Sequence, residues 1–237
     1  MIEVINATKY FGSRMAFEKI NFTAAPGEVV GILGENGAGK TTLLKAIAKL
    51  NTLNAGEILV DGRPVTEETY EKLSFITEEG SFFPHLTVEE HEEFFCMQIG
   101  SFNKARFNKL IDYFKISRNK KLGTFSKGQK AKFEVACGFS RGAKYILMDE
   151  PFLGNDIFTR RDFLKLMIGS MMEDEIIIIA THFIEEIENF LSKAVILNQG
   201  NLMNVVDTEK LREEGRTLFD VMKELLNYKE NKVLDIL

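Results

Sequence analysis

A strand-like run from Glu28 to Leu33 passes directly into Gly34-Glu35-Asn36-Gly37-Ala38-Gly39-Lys40-Thr41-Thr42, and the helix-forming stretch TLLKAIAKL follows at once. An apolar strand, a G-x-x-x-x-G-K-[ST] turn and a helix, in that order, constrain the chain to a βα unit whose turn is a phosphate loop. The glycines let the backbone curl so that successive amides aim at phosphate oxygens. The helix behind them presents the positive end of its dipole to the same charges. Lys40 is placed to bridge the β- and γ-phosphates, and Thr41 to hold Mg²⁺. A glycine-rich turn that arose by chance would not carry both flanks. Kinases, GTPases, motors and recombinases share such a loop, so other segments must discriminate among them.

Short strand-like runs alternate with helical patterns along most of the chain, which predicts an α/β fold around a mostly parallel sheet. The clearest strands are Glu28 to Leu33, Tyr145 to Met148 and Ile176 to Ala180. The last of these is apolar on both faces, as a central strand covered by helices on each side must be. Each of the three ends in polar or charged residues, the place where such sheets hold ligands. From about 87 to 140 the periodicity is helical throughout. Thr87 and Glu90 form a capping-box pattern, EEHEEFFCMQI continues that helix, and a second amphipathic segment runs from about Lys104 to Phe114. This stretch reads as a helical lobe inserted into the sheet domain. Beyond Lys193, KAVILNQGNLMNVV predicts two short strands about a Gln-Gly turn, followed by two helical segments.

At 237 residues with 45% hydrophobic content, the chain has room for one large domain or a domain with a subsidiary lobe. A net charge of −5 argues against a nucleic-acid partner held by bulk electrostatics. Cys96 and Cys137 lie far apart in apolar surroundings without a CxxC pattern, and the expectation is two reduced core residues rather than a disulfide. The N-terminal residues MIEVINATKYF lack the charge and apolar order of a signal peptide, and no run approaches the ~18 apolar residues of a membrane span. The expected location is cytoplasmic, with membrane contact only through a partner.

At Tyr145-Ile146-Leu147-Met148-Asp149-Glu150-Pro151 an apolar strand ends in two adjacent carboxylates. Chemically, Asp149 can hold the Mg²⁺ shell while Glu150 reaches the water that attacks the γ-phosphorus. In isolation such a pair would read as solvated acids at a strand terminus. Here it lies downstream of Phe125-Ser126-Lys127-Gly128-Gln129 and upstream of Gly154-Asn155-Asp156 and Thr181-His182. That ordered set resembles the ABC ATPase family over nearly the whole chain, from the Phe11 region to about Leu202.

The resemblance implies a P-loop NTPase fold of the ABC ATPase type: a mostly parallel central sheet, an N-terminal antiparallel β portion and an inserted helical lobe. In those terms 1–237 is a single ABC ATPase domain, with a catalytic core at 1–86 and 141–205, a signature lobe at 87–140 and C-terminal helices at 206–237. It implies ATP and Mg²⁺ as ligands, bound by Gly34 to Thr42. It also implies a set of roles. Phe11 aligns with the aromatic that stacks on adenine, with Tyr10 as the alternative ring. Ser126 and Gly128 would contact the γ-phosphate bound on an opposing subunit, and Gln129 would fix that loop. Glu150 is the candidate general base, His182 would hydrogen-bond the γ-phosphate or the attacking water, and Asp156 would cross the dimer interface.

The sequence also departs from the family pattern. Glu78 stands where the family usually has glutamine; a carboxylate can approach Mg²⁺ but cannot donate as an amide does. Some exporter ATPases, including those resembling antimicrobial-peptide immunity and drug-export systems, carry glutamate here, which tilts the reading toward export. Phe125 and Lys127 replace a leucine and a glycine of the signature, and Asn155 replaces a leucine of the D-loop. Between these segments lie Phe82, Phe83, Phe94, Phe95, Phe102, Phe107 and Phe114, most of them expected in the lobe core. Phe82 and Phe83, as an exposed pair, fall in the Glu78–Leu86 region where the family docks its membrane permease. The implied function is ATP hydrolysis by a homodimer or heterodimer, head to tail, that powers a permease at the inner face of the membrane. The alternatives are a soluble ATPase of the cluster-assembly kind and a nucleotide-binding regulatory module without turnover.

Overall fold

The computed structural model describes residues 1–77, 82–151 and 157–225. The chain opens with two long strands, β1 (Ile2–Phe11) and β2 (Arg14–Ala24), then β3 (Val29–Leu33), α1 (Lys40–Ile47), β4 (Ala55–Val60), the short β5 (Arg63–Pro64), α2 (Glu67–Glu71) and β6 (Leu73–Ile76). Three helices come next: α3 (Val88–Gln98), α4 (Lys104–Tyr113) and α5 (Lys127–Ser140). Alternation then resumes with β7 (Tyr145–Asp149), α6 (Ile157–Gly169), β8 (Ile176–Thr181), α7 (Ile184–Ile187), β9 (Lys193–Asn198), β10 (Asn201–Asp207), α8 (Thr208–Glu213) and α9 (Leu218–Leu225).

Among the described residues ten strands form one sheet, ordered β5-β4-β1-β2-β10-β9-β3-β8-β7-β6. The block β9-β3-β8-β7-β6 is parallel, whereas β1, β2, β4 and β5 pair antiparallel at the other side. The three strands most legible in the sequence, β3, β7 and β8, are buried at every position. Their side chains alternate between two cores because successive residues of a strand point to opposite faces. Leu33, Met148, Ile177 and Ile179 join Phe107, Ile111 and Phe133 of the helices on one face. Ile32, Leu147, Ile178 and Ala180 meet Leu43, Leu44 and Ile47 of α1 on the other. The β9–β10 turn has Gln199 at φ 47° and Gly200 at φ 79°, the left-handed pair that a two-residue hairpin needs.

The helix signals read from the sequence act as physical caps. The Thr87 hydroxyl accepts from the Glu90 amide at 3.2 Å, and the Glu90 carboxylate accepts from the Thr87 amide at 2.6 Å. A buried ion pair fastens α4 to the turn that enters β8. Arg106 Nη1 lies 2.7 Å from Glu175 Oε1, and Nη2 donates to the Ser170 carbonyl at 2.9 Å. The two side chains are only 11% and 5% exposed. Removing one partner of such a pair strands a charge away from water. Glu175→Ala is therefore expected to cost about 3 kcal/mol of stability in a urea titration followed by circular dichroism, with Arg106→Met/Glu175→Leu recovering most of it. A single variant within about 0.5 kcal/mol of the parent would show the pair to be inert.

Two sequence-based expectations are corrected. Cys137 is buried and burial pushes its thiol well up, but Cys96 is exposed on α3 rather than in a core; both are free thiols. Phe82 and Phe83 are not an exposed pair. Phe82 turns inward, its ring 4.9 Å from that of Phe133, and Phe83 alone is exposed, at 44%. The reason is His91, fully buried, whose Nδ1 is 2.7 Å from the Thr87 carbonyl and whose Nε2 accepts the Phe83 amide at 3.2 Å. Burial lowers the pKa of this imidazole, which favours the neutral form that makes both bonds.

Candidate active site

The carboxyl ends of β3, β7 and β8 lie side by side, and the polar residues that follow each strand converge there. After β3 the backbone turns through Gly37 at φ 85° and Gly39 at φ 100° before α1 begins. A side chain at Gly39 would place its Cβ 2.4 Å from the Ala16 carbonyl, whereas one at Gly37 would meet open space. Gly39 is demanded by packing against β2, Gly37 by the left-handed turn alone. The loop is braced from behind, the Gly200 amide donating to the Ala38 carbonyl at 3.2 Å.

Lys40 is 6% exposed and curls back over its own loop, donating to the Gly34 and Glu35 carbonyls at 2.8 and 3.1 Å. Its Nζ is also 3.7 Å from Glu150 Oε1. Burial lowers the lysine pKa and outweighs the opposing pull of Glu150 and Asp149. At the end of β7, Thr41 donates to Asp149 Oδ1 at 2.8 Å. Burial raises the Asp149 carboxyl, with the neighbouring Glu150 charge adding to it and the Thr41 hydroxyl opposing it. Glu150, at φ 45°, is held by its amide on the Ala180 carbonyl at 2.9 Å. His182 Nδ1 lies 2.9 Å from Glu150 Oε1, and the Thr181 hydroxyl donates to Oε2 at 3.0 Å.

A cleft of about 520 Å³ is lined on one side by Asn36, Gly37, Gly39, Lys40, Thr41, Thr42 and Glu150, and Asp149 and His182 connect to it through their bonds to Thr41 and Glu150. Phe11 lines its outer wall, 52% exposed, with Lys9 Nζ 4.8 Å from its ring centre. Tyr10, the alternative ring, points to the opposite face of β1 and is outside the lining. Arg14, Met15 and Ala16 complete the wall. No motif announces them; only the hairpin register, Phe11 opposite Arg14, places them there.

Ser126, Gly128 and Gln129 do not line this cleft. Ser126 caps α5, accepting from the Gln129 amide at 3.3 Å while Gln129 Oε1 accepts the Ser126 amide at 3.0 Å. Phe125 is buried in the core, so an aromatic ring fills the place expected of leucine. Glu78, Asn155 and Asp156 lie outside the described residues.

The donor set also bears on a metal. Among the described residues no cluster of three or more His, Cys, Asp or Glu side chains could cage an ion. Thr41 and Asp149 offer a hydroxyl and a carboxylate, hard oxygens that suit Mg²⁺ when phosphate and water supply the remaining ligands. The residues present fit that ion.

Comparison with known proteins gives the same direction. The sequence model of the ABC transporter family matches residues 17–153. The chain is 30% identical over 217 residues to the ABC transporter ATP-binding protein YtrB of Bacillus subtilis (strain 168), covering 90% of this chain and 74% of that protein. It is 29% identical over 231 residues to the bacitracin transport ATP-binding protein BcrA of Enterococcus faecalis, covering 93% and 74%. A solved structure described as the ATP binding subunit of an ABC transporter superposes with a TM-score of 0.85 at 27% identity, covering 95% of this chain and 99% of that one.

Proposed function

Because this chain belongs to the ABC transporter family of ATP-binding proteins, we propose that its cleft is one half of a MgATP hydrolysis site, completed by the α5 N-terminus of a second ATPase chain. The chain binds ATP and hydrolyses it as the ATPase component of a transporter. One observation carries the proposal: the phosphate loop and Glu150 line one cleft, with Asp149 bonded to Thr41 and His182 to Glu150, while Ser126 and Gly128 do not line it.

The loop amides from Asn36 to Thr42 and Lys40 hold the phosphates, and Phe11 offers a π-face to the base. Thr41 and Asp149 would hold Mg²⁺, with Glu78 a further candidate. When bound, that ion neutralises charge that builds on the phosphate oxygens. Glu150 accepts a proton from the attacking water, and His182, on the same carboxylate oxygen, steadies the base and reaches toward the γ-phosphate. Asp156 is the candidate contact between paired chains. The pairing is head to tail, of identical or similar ATPases.

No helix among the described residues is long and apolar enough to cross a membrane. We assign work on a cargo to a separate permease, at whose cytoplasmic face the chain would sit. The docking element we assign is the Glu78–Leu86 region, where Phe83 is exposed and set edge-on to Phe94. Export is the direction favoured by Glu78, and the bacitracin-transport relative is compatible with it. Isolation of the tagged chain from detergent-solubilised membranes is expected to bring an integral membrane protein with it, and Phe83→Ser is expected to reduce that yield severalfold. Recovery with soluble proteins alone would favour the cluster-assembly alternative.

A further inference from the structure

Resting on the reading of Glu150 as the base, we infer that Thr181 is a positioning residue for hydrolysis: its hydroxyl fixes Glu150 Oε2 so that Oε1 is the oxygen presented to the attacking water. The two carboxylate oxygens have different surroundings. Oε1 lies 2.9 Å from His182 Nδ1 and 3.7 Å from Nζ of Lys40, which lines the cleft. Lys40 leaves Oε1 as it turns to phosphate, so that contact is not a permanent tether. Oε2 has the Thr181 hydroxyl at 3.0 Å.

Thr181 is the stiffest of the three partners. It is the last residue of β8, wholly buried, and in register with Leu33 at the end of β3. Its hydroxyl oxygen accepts the Phe183 amide at 3.1 Å, which commits the hydroxyl hydrogen to Glu150 rather than to rotation. The same strand supports the base a second time, through the Ala180 carbonyl on the Glu150 amide at 2.9 Å. The positive φ of Glu150 needs such restraint, because a non-glycine residue at 45° relaxes unless its surroundings hold it. Thr181 touches no reacting atom; it acts on Oε1 through Oε2.

The test compares Thr181→Val, which keeps shape and loses the hydroxyl, with Thr181→Ser, which keeps the hydroxyl. Steady-state ATP hydrolysis by the purified full chain is expected to show kcat about 10- to 100-fold lower in Thr181→Val, the scale of a misplaced catalytic group. KM for ATP should stay within about threefold of the parent, and Thr181→Ser should return kcat to within about threefold, as expected of an effect that spares binding. A structural role alone would predict loss in both variants, or a rise in KM alongside the fall in kcat. Either outcome, or a Thr181→Val protein with parental kcat, overturns the inference. Glu150→Gln measured in parallel separates the two levels. If it is inactive while Thr181→Val is normal, only the positioning role falls. If it turns over normally, the base assignment itself has failed.

Discussion

Lys40→Ala is expected to abolish ATP binding for practical purposes, raising Kd by at least about 100-fold, as a titration with a fluorescent ATP analogue or by calorimetry would read. The magnitude follows from what the ammonium does when nucleotide is present. Each hydrogen bond to a charged group is worth roughly 1.5–3 kcal/mol, and Lys40 is placed to serve two phosphates, so the loss is about 3–6 kcal/mol, or 10² to 10⁴ in affinity. In the chain as it stands, the same ammonium is spent on the Gly34 and Glu35 carbonyls and on Glu150. Its burial depresses its pKa, and a negatively charged ligand opposes that depression by favouring the charged ammonium. The fold should survive, since α1 is anchored by Leu43, Leu44 and Ile47. The melting temperature without ATP is expected to shift by only a few degrees, on the scale of about 1 kcal/mol. An alanine variant that binds ATP with the parental Kd would remove Lys40 from the site.

The physics behind the legible parts is local. The β3, β7 and β8 strands are apolar on both faces, so composition alone fixes their place between two layers. Thr87 with Glu90 caps its helix within four residues of sequence. The phosphate loop is likewise contiguous. What the sequence hid depends on register and on partners distant in the chain. Arg14 lines the cleft only because β1 and β2 pair with Phe11 opposite Arg14. Thr181 is an ordinary strand-terminal threonine until β7 and β8 lie parallel and bring Glu150 beside it. Phe82 and Phe83 are adjacent in sequence and alike in chemistry, yet His91, eight residues on from Phe83, holds that amide and leaves one ring inside and one outside. Periodicity counts apolar residues; it does not say which of two neighbours the backbone will turn.

Glu150→Gln separates binding from chemistry. The amide keeps the size of the carboxylate and can still accept from Thr181, but it cannot take a proton from water. Loss of a general base typically costs 10² to 10⁴ in rate, so kcat should fall by at least about 100-fold. ATP affinity should hold or tighten, because a negative charge is removed from beside the γ-phosphate position, 3.7 Å from the lysine that serves it. If the site is completed by Ser126 and Gly128 of a second chain, bound and unhydrolysed ATP should keep the two chains together. Light scattering on a sizing column should then show a dimer of the variant with MgATP and a monomer without it. Adding Ser126→Arg, which puts a bulky side chain where the partner's phosphate would lie, should return the ATP-bound variant to monomer while leaving the fold intact. The residue is exposed and its capping bond is worth only about 1 kcal/mol. An inactive Glu150→Gln that binds ATP as a monomer would leave the base in place and remove an identical chain as the partner; a variant that hydrolyses ATP at the parental rate would remove the base.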